Sequence, residues 1–129
     1  MAGLSDYLEN KLLDHVLKTA AYTVPTNIYV ALFTAAPTDA GGGTEVSGSG
    51  YARTVMNAWD IAAAGASANT NAITFPEATG SQGTITHFAL FDASTLGNML
   101  GWAALTASKA VGTGDTVSFA AGDLDVTLD

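Results

Sequence analysis

His87 is the residue in this chain best placed to act as a general base. Ser81, Asp92 and Ser94 stand near it in sequence, so a nucleophile, a base and an orienting carboxylate are all present. A triad, however, needs three side chains converging in space, and nearness along the chain does not supply that. No G-x-S-x-G elbow holds either serine on a strained turn. His87 therefore reads as a strand residue with a cross-strand hydrogen-bond partner. The acids of the C-terminal segment, Asp123, Asp125 and Asp129 with Asp115 upstream, invite a calcium reading. The twelve-residue loop with its closing Glu is missing, and zinc would lack ligands with two His and no Cys. We expect no metal or other cofactor, and read these acids as solvated charges on the outer face of an end strand. Gly41-Gly42-Gly43-Thr44 and Gly48-Ser49-Gly50 lack the lysine of a phosphate loop and the G-x-G-x-x-G spacing, so they read as flexible loops. A glycan hydrolase would need two carboxylates held about 5 to 10 Å apart. Asp60, Glu77 and Asp92 are the interior candidates, and nothing in their context marks any of them as an acid. No enzyme is expected.

The bulk composition points the same way. Only 12% of the 129 residues are charged, and 4 Lys+Arg stand against 12 Asp+Glu for a net charge of −8. Nucleic-acid binding runs on Lys and Arg displacing counterions from phosphate, so a nucleic-acid partner is not expected. An anionic membrane surface would repel the chain for the same reason. No stretch approaches 18 apolar residues, and the N-terminal segment has no signal-peptide pattern. The acidic balance suits a basic patch on a protein partner.

The elements that must position these residues are mostly strands. Residues 5–18 form the one expected helix, with Ser5 as cap, Asp6 and Glu9 at its positive end, and His15 and Lys18 at its negative end. Its stripe of Leu4, Tyr7, Leu8, Leu12, Leu13, Val16 and Leu17 is expected to pack on the domain's own sheet. Residues 27–34 and 84–92 read as strands apolar on both faces. In the second, Ile85, His87, Ala89 and Phe91 should share one face and Thr86, Phe88 and Leu90 the other. Residues 51–60 alternate as a further strand, with Tyr51, Arg53, Val55, Asn57 and Trp59 facing one way. Short strands are expected over 72–75, 99–105 (joined to 84–92 as a hairpin), 116–120 and 124–129. Residues 1–129 thus read as one mainly β domain, an antiparallel β-sandwich or jelly roll with one N-terminal α-helix. The Gly-rich stretch 35–50 is long for a connection, and long loops are often functional. Arg53, the sole arginine, is expected to pair with an acid, and Trp59 and Trp102 to pack in the core.

Five segments taken in order resemble a family of small tailed-bacteriophage virion structural proteins. They are Leu4-Ser5-Asp6-Tyr7-Leu8-Glu9-Asn10, Ile28-Tyr29-Val30-Ala31-Leu32-Phe33-Thr34, Gly50-Tyr51-Ala52-Arg53, Thr86-His87-Phe88-Ala89-Leu90-Phe91-Asp92 and Leu124-Asp125-Val126-Thr127-Leu128-Asp129. The resemblance implies a virion β-domain, made in the host cytoplasm, of the kind labelled head-decoration or tail-fibre protein. It brings no catalytic motif. The chain has no heptad, collagen-like or β-spiral shaft. We therefore expect a capsid decoration (cement) protein on the outside of the head, each copy adding little and repetition supplying avidity. Its partners would be the phage major capsid protein and neighbouring copies of itself, a homotrimer being one arrangement. The alternative is a tail-fibre or receptor-binding module. The segments expected to touch a partner are the long loop and the N-terminal helix, with Asp39, Gly41, Gly42, Gly43 and Glu45 of the loop, together with Tyr51, as the named residues.

Overall fold

The computed structural model describes residues 3–128. Its elements, in chain order, are β1 (Gly3–Leu4), α1 (Asp6–Leu17), β2 (Tyr29–Ala35), β3 (Thr44–Glu45), β4 (Thr54–Val55), β5 (Ala66–Ala68), β6 (Ile73–Thr74), β7 (Gly83–Phe91), β8 (Met99–Val111), β9 (Ser118–Phe119) and β10 (Asp125–Thr127). The fold is mainly β, every ladder among the described strands is antiparallel, and one helix lies near the N-terminus.

The main sheet runs β1-β8-β7-β2-β3, with β4 also on β2. At its centre β2 and β7 are apolar on both faces, because each face meets its own cluster. Val30, Leu32, Phe88, Leu90 and Leu100 project to one side. There they meet Ile73, Phe75, Val117, Phe119 and Leu124, which belong to or flank the small ladders β6–β9 and β10–β5. That second layer makes the arrangement sandwich-like. Ala31, Phe33, Ala89, Phe91 and Met99 form a smaller cluster on the other side.

In β7 the expected face assignment holds from His87 onward and fails before it. The β7–β8 register shifts between Ile85 and His87. The irregularity returns Ile85 to the large cluster with Phe88 and Leu90, although its parity in the sequence matches His87. Across that step β7 advances two residues and β8 five, and such a mismatch is invisible to a period-two reading of β7 alone.

α1 begins where the sequence places it. Ser5 has an extended backbone (φ −76°, ψ 160°), and its Oγ accepts from Leu8 N–H at 3.3 Å. The same hydroxyl donates to Met99 O, tying the helix start to β8. β1 reinforces this joint by pairing Gly3 with Trp102 and Leu4 with Gly101. Gly101 is required there, since a Cβ would stand 2.5 Å from Gly3 O. The apolar stripe, in contrast, does not pack along its length. Tyr7 and Leu8 reach the core, whereas Leu13, Val16 and Leu17 are exposed. The sheet meets only the first turns, and beyond them the returning chain bonds to Asp14 and His15 while Leu13, Val16 and Leu17 stay exposed.

Two connections also differ from expectation. Residues 51–60 are strand only at β4, where Val55 and Asn57 of the expected common face are exposed and Met56 between them is buried. Residues 35–50 are more ordered than their composition implies. Pro37 and Val46 are buried, Thr38 and Gly41 exchange backbone hydrogen bonds at 2.8 and 2.9 Å, and β3 pairs with β2.

Candidate functional site

β3 and β4 share the outer edge of β2 at opposite ends, β3 against Phe33 and Ala35, β4 against Tyr29 and Val30. Leu32 lies between them, buried. Its carbonyl accepts from Val46 N–H at 2.9 Å, and its N–H donates to the Tyr51 hydroxyl at 3.1 Å. A side chain thus completes a ladder that no backbone reaches.

Tyr51 in turn donates to Glu45 Oε2 at 2.6 Å. Arg53 closes the cluster, with Nε donating to Glu45 Oε2 and Nη2 to Glu45 Oε1, each at 2.8 Å. This planar two-bond pair is the arrangement arginine serves better than lysine. Arg53 Nη1 also donates to Ala93 O at 2.9 Å and Leu96 O at 2.8 Å, fastening the β7–β8 turn. Its guanidinium carbon stands 3.7 Å from the centre of the Phe91 ring, which stacks on Phe33. The expected ion pair for the sole arginine is present, and it joins β3, the segment before β4 and the β7–β8 hairpin.

Burial alone would raise the Glu45 carboxyl, but the hydrogen bonds from Arg53 and Tyr51 and the Arg53 charge carry it below the ordinary range. Burial, followed by the hydrogen bond to Glu45, pushes the Tyr51 phenol well above its ordinary value. The cluster therefore holds one carboxylate, one guanidinium and a neutral phenol.

Beside it opens a cleft of about 580 Å³, bounded by the glycine loop, the start of α1 and the β7–β8 turn. Asp39, Gly41, Gly42, Gly43 and Glu45 all line it, so the structure brings together five of the six expected residues. Tyr51 lies on the far side of Glu45, against a second hollow of about 400 Å³ shared with Arg53 and Leu96. Asp39 anchors the loop twice: its carboxylate accepts from Trp102 Nε1 at 2.9 Å, and its carbonyl accepts from Asp6 N–H at 3.0 Å. Gly43, at φ +75°, runs so close to the preceding turn that a Cβ would stand 2.7 Å from Pro37 N. Asp6 and Tyr7, from the N-terminal helix expected to touch a partner, also line the cleft, as do Phe91 and Asn98, which sequence reasoning missed as site residues. The available signal was the parity of β2 and β7, which sends Phe33 and Phe91 to one face.

The chemistry on offer is recognition by hydrogen bonding. Asp6 and Asp39 present exposed carboxylates, while both Glu45 oxygens are engaged by Arg53 and Tyr51. Among the described residues lining the cleft there is no His, Lys, Ser or Cys.

The other residues singled out by type lie apart from it. The His87 side chain does not make the expected cross-strand hydrogen bond: its Nδ1 lies 2.8 Å from Thr86 Oγ1 next to it, and the ring leans on Trp102. Asp92 accepts from Asn98 N–H at 2.7 Å and from Asn98 Nδ2 at 2.9 Å, shaping the hairpin turn. Asp60 accepts from Thr70 Oγ1 at 2.8 Å. Asp115 and Asp123 are turn-closers, accepting from Gly112 and Ala120 N–H, a local role the solvated-charge expectation did not include. Asp129 lies outside the described residues. No group of three or more His, Asp or Glu among the described residues is arranged to hold a metal. No helix among them is long and apolar enough to cross a membrane.

Over residues 3–127 the chain matches the family described as Podophage GP4 fiber I protein gp80. The chain belongs to this family. It is therefore a phage virion structural protein of a fibre family, as the resemblance of its five segments implied. The match favours the tail-fibre alternative over capsid decoration. No curated protein matched the chain.

Proposed function

We propose that this protein is a non-enzymatic component of a phage tail fibre, and that the cleft beneath its glycine loop is where it engages a neighbouring virion protein or a host receptor. The single observation carrying the reading is the match to a fibre family across residues 3–127. The missing shaft, which favoured the head in the sequence reading, fits a fibre module mounted on other chains.

Asp39, Gly41, Gly42 and Gly43 form the contact edge of the cleft, with Asp6 beside Asp39 and Asn98 also in its lining. Glu45 and Tyr51 support that edge from behind through Arg53. The partner surface is rich in hydrogen-bond donors or basic groups, matching the exposed carboxylates and the net charge of −8.

Antibody-gold labelling of intact virions, read by electron microscopy, tests the location. Label on the tail fibres is expected; label across the capsid faces would return the head-decoration reading to first place. Ala40→Arg then tests the cleft, since Ala40 is exposed at its rim. The variant should keep the wild-type melting temperature and fail to attach to virions, and unchanged attachment would move the contact elsewhere.

A further inference from the structure

We infer that Leu96, at the tip of the β7–β8 turn, is the apolar anchor by which this chain locks into a neighbouring virion protein, an inference that rests on the fibre reading proposed above. Among the described residues, four other than glycine have positive φ: Thr19, Ser49 and Ala64 at +53° and Leu96 at +54°. That backbone region is costly for a residue with a Cβ and is tolerated best by Gly, Asn and Asp. Three of the four have a local account. Thr19 Oγ1 donates to Lys18 O at 2.7 Å, Ser49 Oγ donates to Ser81 O at 3.2 Å, and Ala64 carries only a methyl group. Leu96 has none, because its side chain is large, apolar and 86% exposed. Leu96 and Gly97 (φ +75°) stand consecutively at positive φ, the pattern for which Asn-Gly is the preferred pair. The chain thus places leucine where a polar residue would fold at lower cost. A local rule broken with no gain inside the chain points to a contact outside it.

The turn is built to hold that side chain still. Arg53 Nη1 donates to Ala93 O and Leu96 O, and the Asp92 carboxylate accepts from Asn98 N–H and Nδ2. Gly97 runs so close to the start of the turn that a Cβ would stand 2.6 Å from Ala93 Cβ and 2.6 Å from Asp92 Oδ1. At residue 96 the Arg53 bond engages the backbone, so the leucine side chain is positioned without being used. A preorganised apolar group loses little freedom on docking.

The surroundings define the partner. Residues 93–97 carry no charge, and Ser94 and Thr95 are exposed beside Leu96 at the hollow shared with Arg53. In a chain of net charge −8 this tip is a place where another protein can approach without meeting like charge. A leucine flanked by hydroxyls fits an apolar socket with a hydrogen-bonding rim, the usual anatomy of an interface hot spot. It offers a polysaccharide neither a hydrogen bond nor a ring face, so the partner is a protein. Apolar anchors of this kind belong to permanent contacts, which suits a structural component of the virion.

Leu96→Asn keeps the backbone bonds and suits positive φ, so the purified full-length variant should melt about 2–5 °C above wild type. In virions assembled with that variant as the sole source of this chain, its amount per capsid protein should fall about tenfold or more by immunoblot. Leu96→Met keeps an apolar side chain and should be incorporated as wild type is. A lower melting temperature for Leu96→Asn would mean that the side chain serves its own fold, which overturns the inference. Full incorporation of Leu96→Asn would overturn it as well, and if those particles failed to adsorb to host cells the contact would be with a receptor. Ala40→Arg in the same assay separates this inference from the cleft reading. Incorporation blocked by Ala40→Arg but not by Leu96→Asn leaves the cleft standing and removes Leu96. The reverse pattern upholds Leu96 and removes the cleft.

Discussion

Arg53 and Glu45 meet through two parallel hydrogen bonds of 2.8 Å, with the Arg53 side chain 5% exposed and that of Glu45 26% exposed. Because the same guanidinium binds Ala93 O and Leu96 O and covers Phe91, its removal opens the cleft wall and the hairpin turn together. Arg53→Ala should destabilise the fold by about 2–4 kcal/mol, toward the lower end because Glu45 keeps access to water. Arg53→Lys should recover only part of the loss, since an ammonium cannot reproduce the fork. Urea denaturation of both variants checks the order.

The Glu45 carboxyl lies below its ordinary value of 4.5 in the folded chain, so the folded state holds its proton less tightly than the unfolded state. Its contribution to stability is complete above about that value and is lost as pH falls through the lowered folded value. Tyr51 behaves oppositely at the alkaline end. Its phenol is raised above 10.0, so above that pH the unfolded chain ionises first and stability declines. Melting temperature against pH should therefore show a plateau with an acid shoulder and an alkaline shoulder. Glu45→Gln should flatten the acid one, and an unchanged acid shoulder in that variant would remove Glu45 as its source.

Tyr51→Phe separates the ladder-completing role of the hydroxyl from the packing of the ring. The ring stacks on Phe75 with centroids 6.4 Å apart, and phenylalanine preserves that contact. What disappears is the acceptor for the buried Leu32 N–H and the donor to Glu45. An unsatisfied buried donor costs about 1–3 kcal/mol, so a loss in that range is expected. Hydrogen exchange locates it: the Leu32 amide should exchange faster in the variant, with the Val30 amide far less affected.

Much of the architecture was legible because it rests on local chemistry. The Ser5 cap, the two-faced strands β2 and β7 and the Gly97-Asn98 turn each follow from residue types at fixed offsets. The errors arose where tertiary structure chooses between locally equal options. The irregularity before His87 reverses the facing of Ile85 without leaving a mark in composition. The stripe of α1 looks continuous in sequence, yet the sheet covers only its first turns. At the site, glycine content located the loop, but no periodicity links residues 39–45 to Asn98 or Asp6. That convergence comes from the Asp39 contacts to Trp102 and Asp6.

The glycine loop offers the last test, because its glycines are not equivalent. Gly41 has φ +107° with nothing within 4 Å of a built Cβ, whereas Gly43 has φ +75° and would drive a Cβ to 2.7 Å from Pro37 N and 2.8 Å from Ala35 O. Gly41→Ala should cost only the backbone term, about 1–2 kcal/mol for a side chain on the left-handed side. Gly43→Ala carries a comparable term and adds a collision with backbone that cannot swing aside. That collision pushes the loop away from Pro37, which is buried, and so reshapes the cleft edge. Denaturation midpoints should rank wild type above Gly41→Ala and Gly41→Ala above Gly43→Ala. In amide spectra the shifts caused by Gly43→Ala should reach Asp39 and the Trp102 indole, while those of Gly41→Ala stay within the loop. Equal midpoints for the two variants would mean that the approach of Gly43 to Pro37 does not constrain the loop.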